Sequence, residues 1–198
     1  MTKEKTAKQK EKIQHILDAA VVCFAKKGFH STTTAEICRE AGMSPGHVFH
    51  YFASKQEIIE AIAENDRVIF ADIFAENVNE AKVVDSIVAI IRAVVKYIMV
   101  YHVSARLCIE INAEATRNPE IMKIFLENEK WNKKALTDLI TIGLQNGEIS
   151  QDLQPAIITD WLFILTNGIL CYSVTDQSFD WEIHTNFLEK IIRKTLSP

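Results

Sequence analysis

Apolar residues recur at helical spacing along almost the whole chain, and no stretch offers a credible pair of strands. Ile13, Ile16, Leu17, Ala20, Val21 and Phe24 follow the 3.6-residue period and predict a first helix from about Lys8 to Lys27, ended by Gly28. Thr33 and Glu36 then have the spacing of a capping box, in which the hydroxyl accepts from an orphan amide and the carboxylate reaches back to the threonine N–H. Ala35, Ile37, Cys38 and Ala41 give this second helix a small apolar face, and Gly42 supplies the left-handed conformation that ends it. Ser44 is placed to cap a third helix, with Pro45 at the first helical position, where its fixed φ helps and its missing N–H costs nothing. Val48, Phe49 and Phe52 predict the inward face of that helix, and Pro45, Gly46, His47 and His50 the outward one. Ser54 and Glu57 form a second capping box, so Lys55 begins a long helix to about Asn79 with Ile58, Ile59, Ile62, Ile69 and Ile73 among its apolar positions. Two short helices about a glycine turn, with a third starting behind them, have the layout of a helix-turn-helix DNA reader.

Further helices are predicted at about 83–101, 103–117, 119–146, 155–175 and 181–196. Asn118-Pro119 reads as a cap and first-turn proline, Gly147 as a stop and Asp180 as a cap. The expected fold is all-α with about nine helices: an N-terminal three-helix helix-turn-helix domain, residues 1–54, and a larger C-terminal helical domain, residues 55–198.

Charge sharpens this picture. The formal net charge of −4 taken alone argues against a nucleic-acid partner. Yet residues 1–55 hold nine basic against five acidic side chains, and the remainder 13 against 21. A basic head on an acidic body orients the molecule on DNA. Cys23, Cys38, Cys108 and Cys171 are far apart with no C-x-x-C pair, which fits small apolar residues in a reduced cytosol better than a disulfide frame or a redox sensor. Asp160 and Thr166-Asn167-Gly168 interrupt the most apolar stretch, so no membrane span is expected, and the lysine-rich start lacks the apolar core of a signal peptide. There is no cluster of nucleophile, base and orienting group, no glycine-rich phosphate loop and no metal-ligand spacing. His47 and His50 stand three apart without carboxylate or thiol support. No enzyme activity, cofactor or metal is expected.

Phe24, Gly28, Phe29, Thr33, Thr34, Ile37, Ala41-Gly42-Met43-Ser44, Gly46, Tyr51-Phe52 and Ser54-Lys55 followed by Ile58 fall in one gapless order. In this pattern, residues 10 to 60 or so resemble the tetracycline-repressor (TetR) family of bacterial transcription regulators. Two positions depart from it. Phe49 stands where the family commonly has tyrosine, so a phenol contact to phosphate is lost. His47 replaces a small residue, so its base reading should be individual to this protein. The resemblance implies a cytoplasmic, nucleoid-associated homodimer that represses transcription at a palindromic operator and is released by a small molecule bound in the C-terminal domain. A DNA-bound structural or cell-division factor on the same fold, whose body recruits a protein, is the alternative. A deep cavity in the body would favour the first reading and a filled body the second.

Roles then follow for individual residues. Base edges would be reached by His47, with Pro45 and Gly46 beside it. Thr33, Thr34, Ser44, His50, Tyr51 and Lys55 would hold phosphates. For Lys55 the reason is a cation at the positive end of a helix dipole, which hints at an external anion. Tyr101, Arg106, Glu110, Glu114, Phe125, Trp131, Trp161, Phe163 and Asn167, together with Tyr97 and Tyr172, put polar or aromatic groups on otherwise apolar helices and are the candidate effector contacts. Arg106 and Glu110, four apart, also read as a plain surface pair. Residues Ala113 to Pro119 resemble the effector-domain subgroup typified by choline-responsive regulators. The effector is expected to be cationic or amphipathic, and a cavity-facing Glu110 or Glu114 would favour a cationic or amine-bearing one. The segment Pro155 to Val174 is apolar nearly all round and needs cover on every side. Trp161, Leu165, Gly168 and Tyr172, with Phe187 and Ile191 of the last helix, are the expected dimer interface, since a two-fold operator requires two heads.

Overall fold

The computed structural model describes residues 7–101 and 105–198, with the backbone alone at Tyr101. Among them are nine α-helices and no strand: α1 (Ala7–Ser31), α2 (Thr34–Glu40), α3 (Pro45–Phe49), α4 (Lys55–Asn77), α5 (Val83–Lys96), α6 (Ala105–Ala115), α7 (Pro119–Gln145), α8 (Pro155–Thr175) and α9 (Trp181–Leu196). Three boundaries differ from the sequence expectation. α1 does not stop at Gly28 but bends there, at φ 77° and ψ 161°, and resumes to Ser31. α3 is a bare turn and a half. The helix expected over 83–101 keeps α geometry only to Lys96 and passes into a π-helical turn, Tyr97–Tyr101.

The described residues form two compact units that do not follow chain order. One comprises residues up to Asp66 together with 105–125, and the other Arg67–Tyr101 with Leu126–Pro198. In the first unit α1 packs on α2 and on α6, so compactness groups α6 with the helix-turn-helix. Ile16, Ala20, Phe24, Ile37, Val48 and Ile58 are wholly buried there.

In the second unit a core of Val83, Ile87, Ile90, Val95, Leu136, Ile140, Ile149, Leu162, Leu188 and Leu196 joins α5, α7, α8 and α9. Gly143 is the close-approach point of this core. A Cβ there would lie 2.6 Å from Ile149 Cδ1 and 2.9 Å from Val83 Cγ1. The start of α5 has no side-chain cap from its own N-cap residue, Lys82. Instead Glu148, 65 residues from Val83 in the chain, accepts from the Val83 N–H at 2.6 Å and the Val84 N–H at 2.9 Å. A carboxylate there satisfies two orphan amides and complements the positive helix end. Asp180 caps α9 as expected, accepting from Glu182 and Ile183. By length and mean hydropathy α8 is apolar enough to cross a bilayer, contrary to the expectation from its polar interruptions. Its Thr159, Leu162, Ile169 and Leu170 are nonetheless buried, Leu162 and Ile169 in this core.

Candidate nucleic-acid interface

Local chemistry sets the α2–turn–α3 geometry. The Thr33 hydroxyl accepts from Glu36 N–H at 3.3 Å, and Glu36 Oε2 accepts from Thr33 N–H at 2.9 Å, which completes the capping box. The Lys27 ammonium, from α1, also donates to Glu36. That bond, with those from Thr33, pulls the carboxyl down to about 2. α2 ends on Gly42 at φ 61°, with Gly42 N–H bonded to Arg39 O and Met43 N–H to Cys38 O, the paired bonds of a Schellman stop. His15 of α1 donates from Nε2 to Ala41 O at 2.9 Å, which fixes the turn against α1.

Ser44 is the N-cap of α3 by position, but its hydroxyl makes no capping bond. The start of α3 rests on Pro45 and on backbone bonds from His47 and Val48 to Ser44 O. Val48 is wholly buried and Phe52 nearly so, as expected. Phe49 is not inward. It is 49% exposed, because a five-residue helix buries only the residues that meet α1 and α2. Ser44, Pro45, Gly46 and His50 are exposed, while His47 and Tyr51 are half-buried. The Tyr51 ring neighbours two imidazoles, 5.7 Å from His47 and 5.1 Å from His50. A Cβ on Gly46 would meet nothing within 4 Å. Internal packing therefore does not require glycine at this outward position. Thr33 is exposed and Thr34 half-buried, on the adjoining rim.

Lys55 needs correction. It does open α4, but its ammonium is not waiting for an anion. Nζ donates to Phe29 O at 2.6 Å, Thr32 O at 2.8 Å and His30 O at 3.2 Å, and lies 4.5 Å above the Phe29 ring. The three N–H bonds of an ammonium are thereby used. The cation that opposes the dipole of α4 sits at the negative end of α1, whose last carbonyls the Gly28 bend leaves without helical partners. Thr32, also buried, adds its hydroxyl to Gly28 O at 2.7 Å and Cys23 O at 3.2 Å. Burial holds the Lys55 ammonium below the ordinary lysine range, with Glu114 acting the other way. The second capping box is displaced by one residue. Ser54 Oγ accepts from Glu57 N–H, but Glu57 reaches Ala53 N–H.

The candidate effector residues fall in both units. Arg106, Glu110, Glu114 and Phe125 belong to the first unit and Trp131, Trp161, Phe163 and Asn167 to the second, while the side chain of Tyr101 lies outside the described residues. Glu110 Oε2 lies 2.9 Å from where a Cβ on Gly28 would stand, so this carboxylate is at the α1 bend. Glu114 is buried but occupied by Arg117 and Asn118. Burial pushes its carboxyl up, those bonds outweigh it, and the net shift is downward. In the second unit Trp131 meets Phe74 edge-on, Phe163 lies under the Lys133 ammonium at 5.5 Å, and Tyr97 is buried edge-on to Phe70. Arg106, Trp161 and Asn167 are exposed.

Of the residues expected at a dimer interface, Trp161 and Tyr172 on α8 and Phe187 and Ile191 on α9 are exposed, as are Ile157 and Ile164 on α8 and Ile183 on α9. Leu165 and Gly168 are half-buried on α8, and a Cβ on Gly168 would meet nothing within 4 Å of this chain. Burial raises the Cys23 thiol and pushes Cys108 up to about 12, which makes both poor nucleophiles.

Sequence reasoning missed Lys12, Lys27 and Thr32. Lys12 Nζ lies 3.2 Å from His47 Nε2, a contact across 35 residues that no local pattern announces.

Comparison with known proteins bears on these same elements. Residues 16–62 match the family described as "Bacterial regulatory proteins, tetR family". The HTH-type transcriptional regulator UidR of Escherichia coli is 31% identical over 155 residues, 78% of each chain. The structure of Salmonella enterica GusR superposes with a TM-score of 0.75 at 27% identity, over 98% of this chain and 99% of that one. FadR of Bacillus subtilis, solved in complex with stearoyl-CoA, gives 0.80 at 21% identity over 92% and 98%.

Proposed function

The chain belongs to the TetR family of bacterial transcriptional regulators, and from that premise we propose that it is a homodimeric repressor of a palindromic operator, released by a small amphipathic effector. The observation that carries the DNA reading is the outward turn and helix from Ser44 to His50, anchored from behind by buried Val48 and Phe52. In this reading two α3 helices enter successive major grooves about 34–36 Å apart. His47, Pro45 and Gly46 meet base edges, and Thr33, Thr34, Ser44, His50 and Tyr51 hold phosphates. Lys55 leaves the phosphate set because its donors are spent on α1. The exposed apolar stripe on α8 and α9 supports pairing with a second copy, which would bring Gly168 against a partner backbone.

An effector in the body that binds better when the heads are misplaced lowers DNA affinity, and operator DNA must weaken effector binding by the same factor. With Glu114 engaged by Arg117 and Asn118 within the protein, an amphipathic ligand fits this chain better than a cationic one. A regulator of the same fold, FadR, has been solved with stearoyl-CoA.

Selection of bound fragments from genomic DNA tests the proposal, followed by the same selection with His47→Ala. Enrichment of one two-fold sequence, with preference lost at one position per half-site in the variant, is the expected result. Binding without sequence preference would refute repression at an operator, and an unchanged preference in the variant would remove His47 from base reading.

A further inference from the structure

We propose that Lys12 is a positioning residue for base recognition: it holds His47 in the neutral tautomer that carries its proton on Nδ1, so that His47 can only donate to a base. This rests on the reading of His47 as a base contact. The geometry is a single contact between helices. Lys12 Nζ of α1 lies 3.2 Å from His47 Nε2 of α3, with both side chains half-buried. An ammonium has three donors and no acceptor, so the nitrogen facing it must offer a lone pair. A bare Nε2 in a neutral imidazole puts the proton on Nδ1. A protonated ring would present N–H to N–H across the same gap, which makes the contact repulsive. The Tyr51 ring is a second neighbour of the imidazole, its centroid 5.7 Å away and tilted by 35°.

The consequence is chemical selectivity. With Nε2 occupied, the nitrogen left for a base is a donor. In the major groove it can pair with guanine O6 or N7, adenine N7 or thymine O4. Cytosine offers there only its amino group, another donor, and is rejected. Without Lys12 the ring can present either nitrogen as an acceptor, so cytosine becomes tolerable. The discrimination at stake is that of one net hydrogen bond, about 5-fold in binding.

The test has two readouts on the full-length protein. Long-range proton–nitrogen correlation spectra of histidine-labelled protein, with the His47 signals assigned by their loss in His47→Ala, report the tautomer directly. His47 should be protonated on Nδ1 in the wild type and in Lys12→Arg, which keeps a donor-only cation, and should move to the other tautomer or a mixture in Lys12→Met. A wild-type His47 protonated on Nε2, or a spectrum indifferent to Lys12→Met, overturns the proposal. Selection from a randomised operator is the second readout. Lys12→Met should relax the bias against cytosine by about 5-fold at the position that His47→Ala affects, and elsewhere leave the preference alone. If His47→Ala relaxes a position and Lys12→Met does not, the proposal fails while base reading by His47 stands. If His47→Ala changes nothing, base reading fails, and the tautomer result then decides only the state of the ring. Unchanged helical circular dichroism in Lys12→Met, a substitution between good helix formers, separates these outcomes from unfolding.

Discussion

Replacing Lys55 by methionine keeps most of the aliphatic stem and deletes the charge, and its effect separates an internal cap from a DNA contact. The ammonium serves three carbonyls at 2.6, 2.8 and 3.2 Å. A hydrogen bond to a charged group contributes about 1.5–3 kcal/mol, but the His30 carbonyl is exposed and water replaces that bond readily. Removing the cation also removes the cost of burying it, the same cost that lowers its pKa. The shorter two bonds, less that relief, leave a net loss of about 2–4 kcal/mol. For a chain of this size each kcal/mol corresponds to roughly 2–4 °C in Tm, so thermal unfolding should fall by about 4–16 °C. Operator affinity measured at several salt concentrations should show an unaltered slope of log Kd against log salt. A phosphate ligand would change that slope by about 0.9 per contact. An unchanged Tm together with a slope reduced by one unit per subunit would refute the internal-cap reasoning and return Lys55 to the phosphate set.

Three further outcomes are expected. Gly46→Ala meets open space and replaces a poor helix former in α3, so it should hold or raise Tm by up to the equivalent of about 1 kcal/mol, while weakening operator binding through the added methyl; equal binding would show that the DNA backbone does not approach there. Gly143→Ala forces Ile149 and Val83 aside and should cost about 1–3 kcal/mol of stability, seen as a lower midpoint in urea, and a neutral result would mean that both side chains yield freely. The Glu36 carboxyl sits at about 2 in the folded chain against an ordinary 4.5, so its contribution is present above about pH 4.5 and is lost as pH falls towards 2. Glu36→Gln should therefore lose less Tm than the wild type between pH 7 and pH 3, and parallel losses would exclude Glu36 from acid sensitivity.

What was legible in the sequence was what is local. Thr33 and Glu36, Gly42, Pro45 and Asp180 act within a few residues of themselves, and each stands in the role its spacing implied. Phe49 was misread because periodicity has little meaning in a five-residue helix, where one residue's facing is decided by its neighbours in space. Lys55 was misread for the opposite reason: its local setting was correct, at the positive end of α4, but its partners lie 23 to 26 residues back along the chain. The contact of Lys12 with His47 and the Glu148 cap are hidden in the same way. Polarity on an apolar helix does not distinguish a side chain facing a cavity from one already paired, as Glu114 is with Arg117.

The Glu148 cap also bears on how the chain is made. The strongly apolar α5 emerges from the ribosome with its first amides unsatisfied, and the carboxylate that will satisfy them is 65 residues from Val83. At about 5–20 residues per second that interval is roughly 3–13 seconds, whereas a helix of this length settles in about a microsecond. Throughout that interval the nascent chain carries Ile87, Ile90, Ile91 and Val95 without the α9 surface, and for most of it without a complete α7, which together later cover them. The second unit is thus complete only once α9, Trp181–Leu196, has followed.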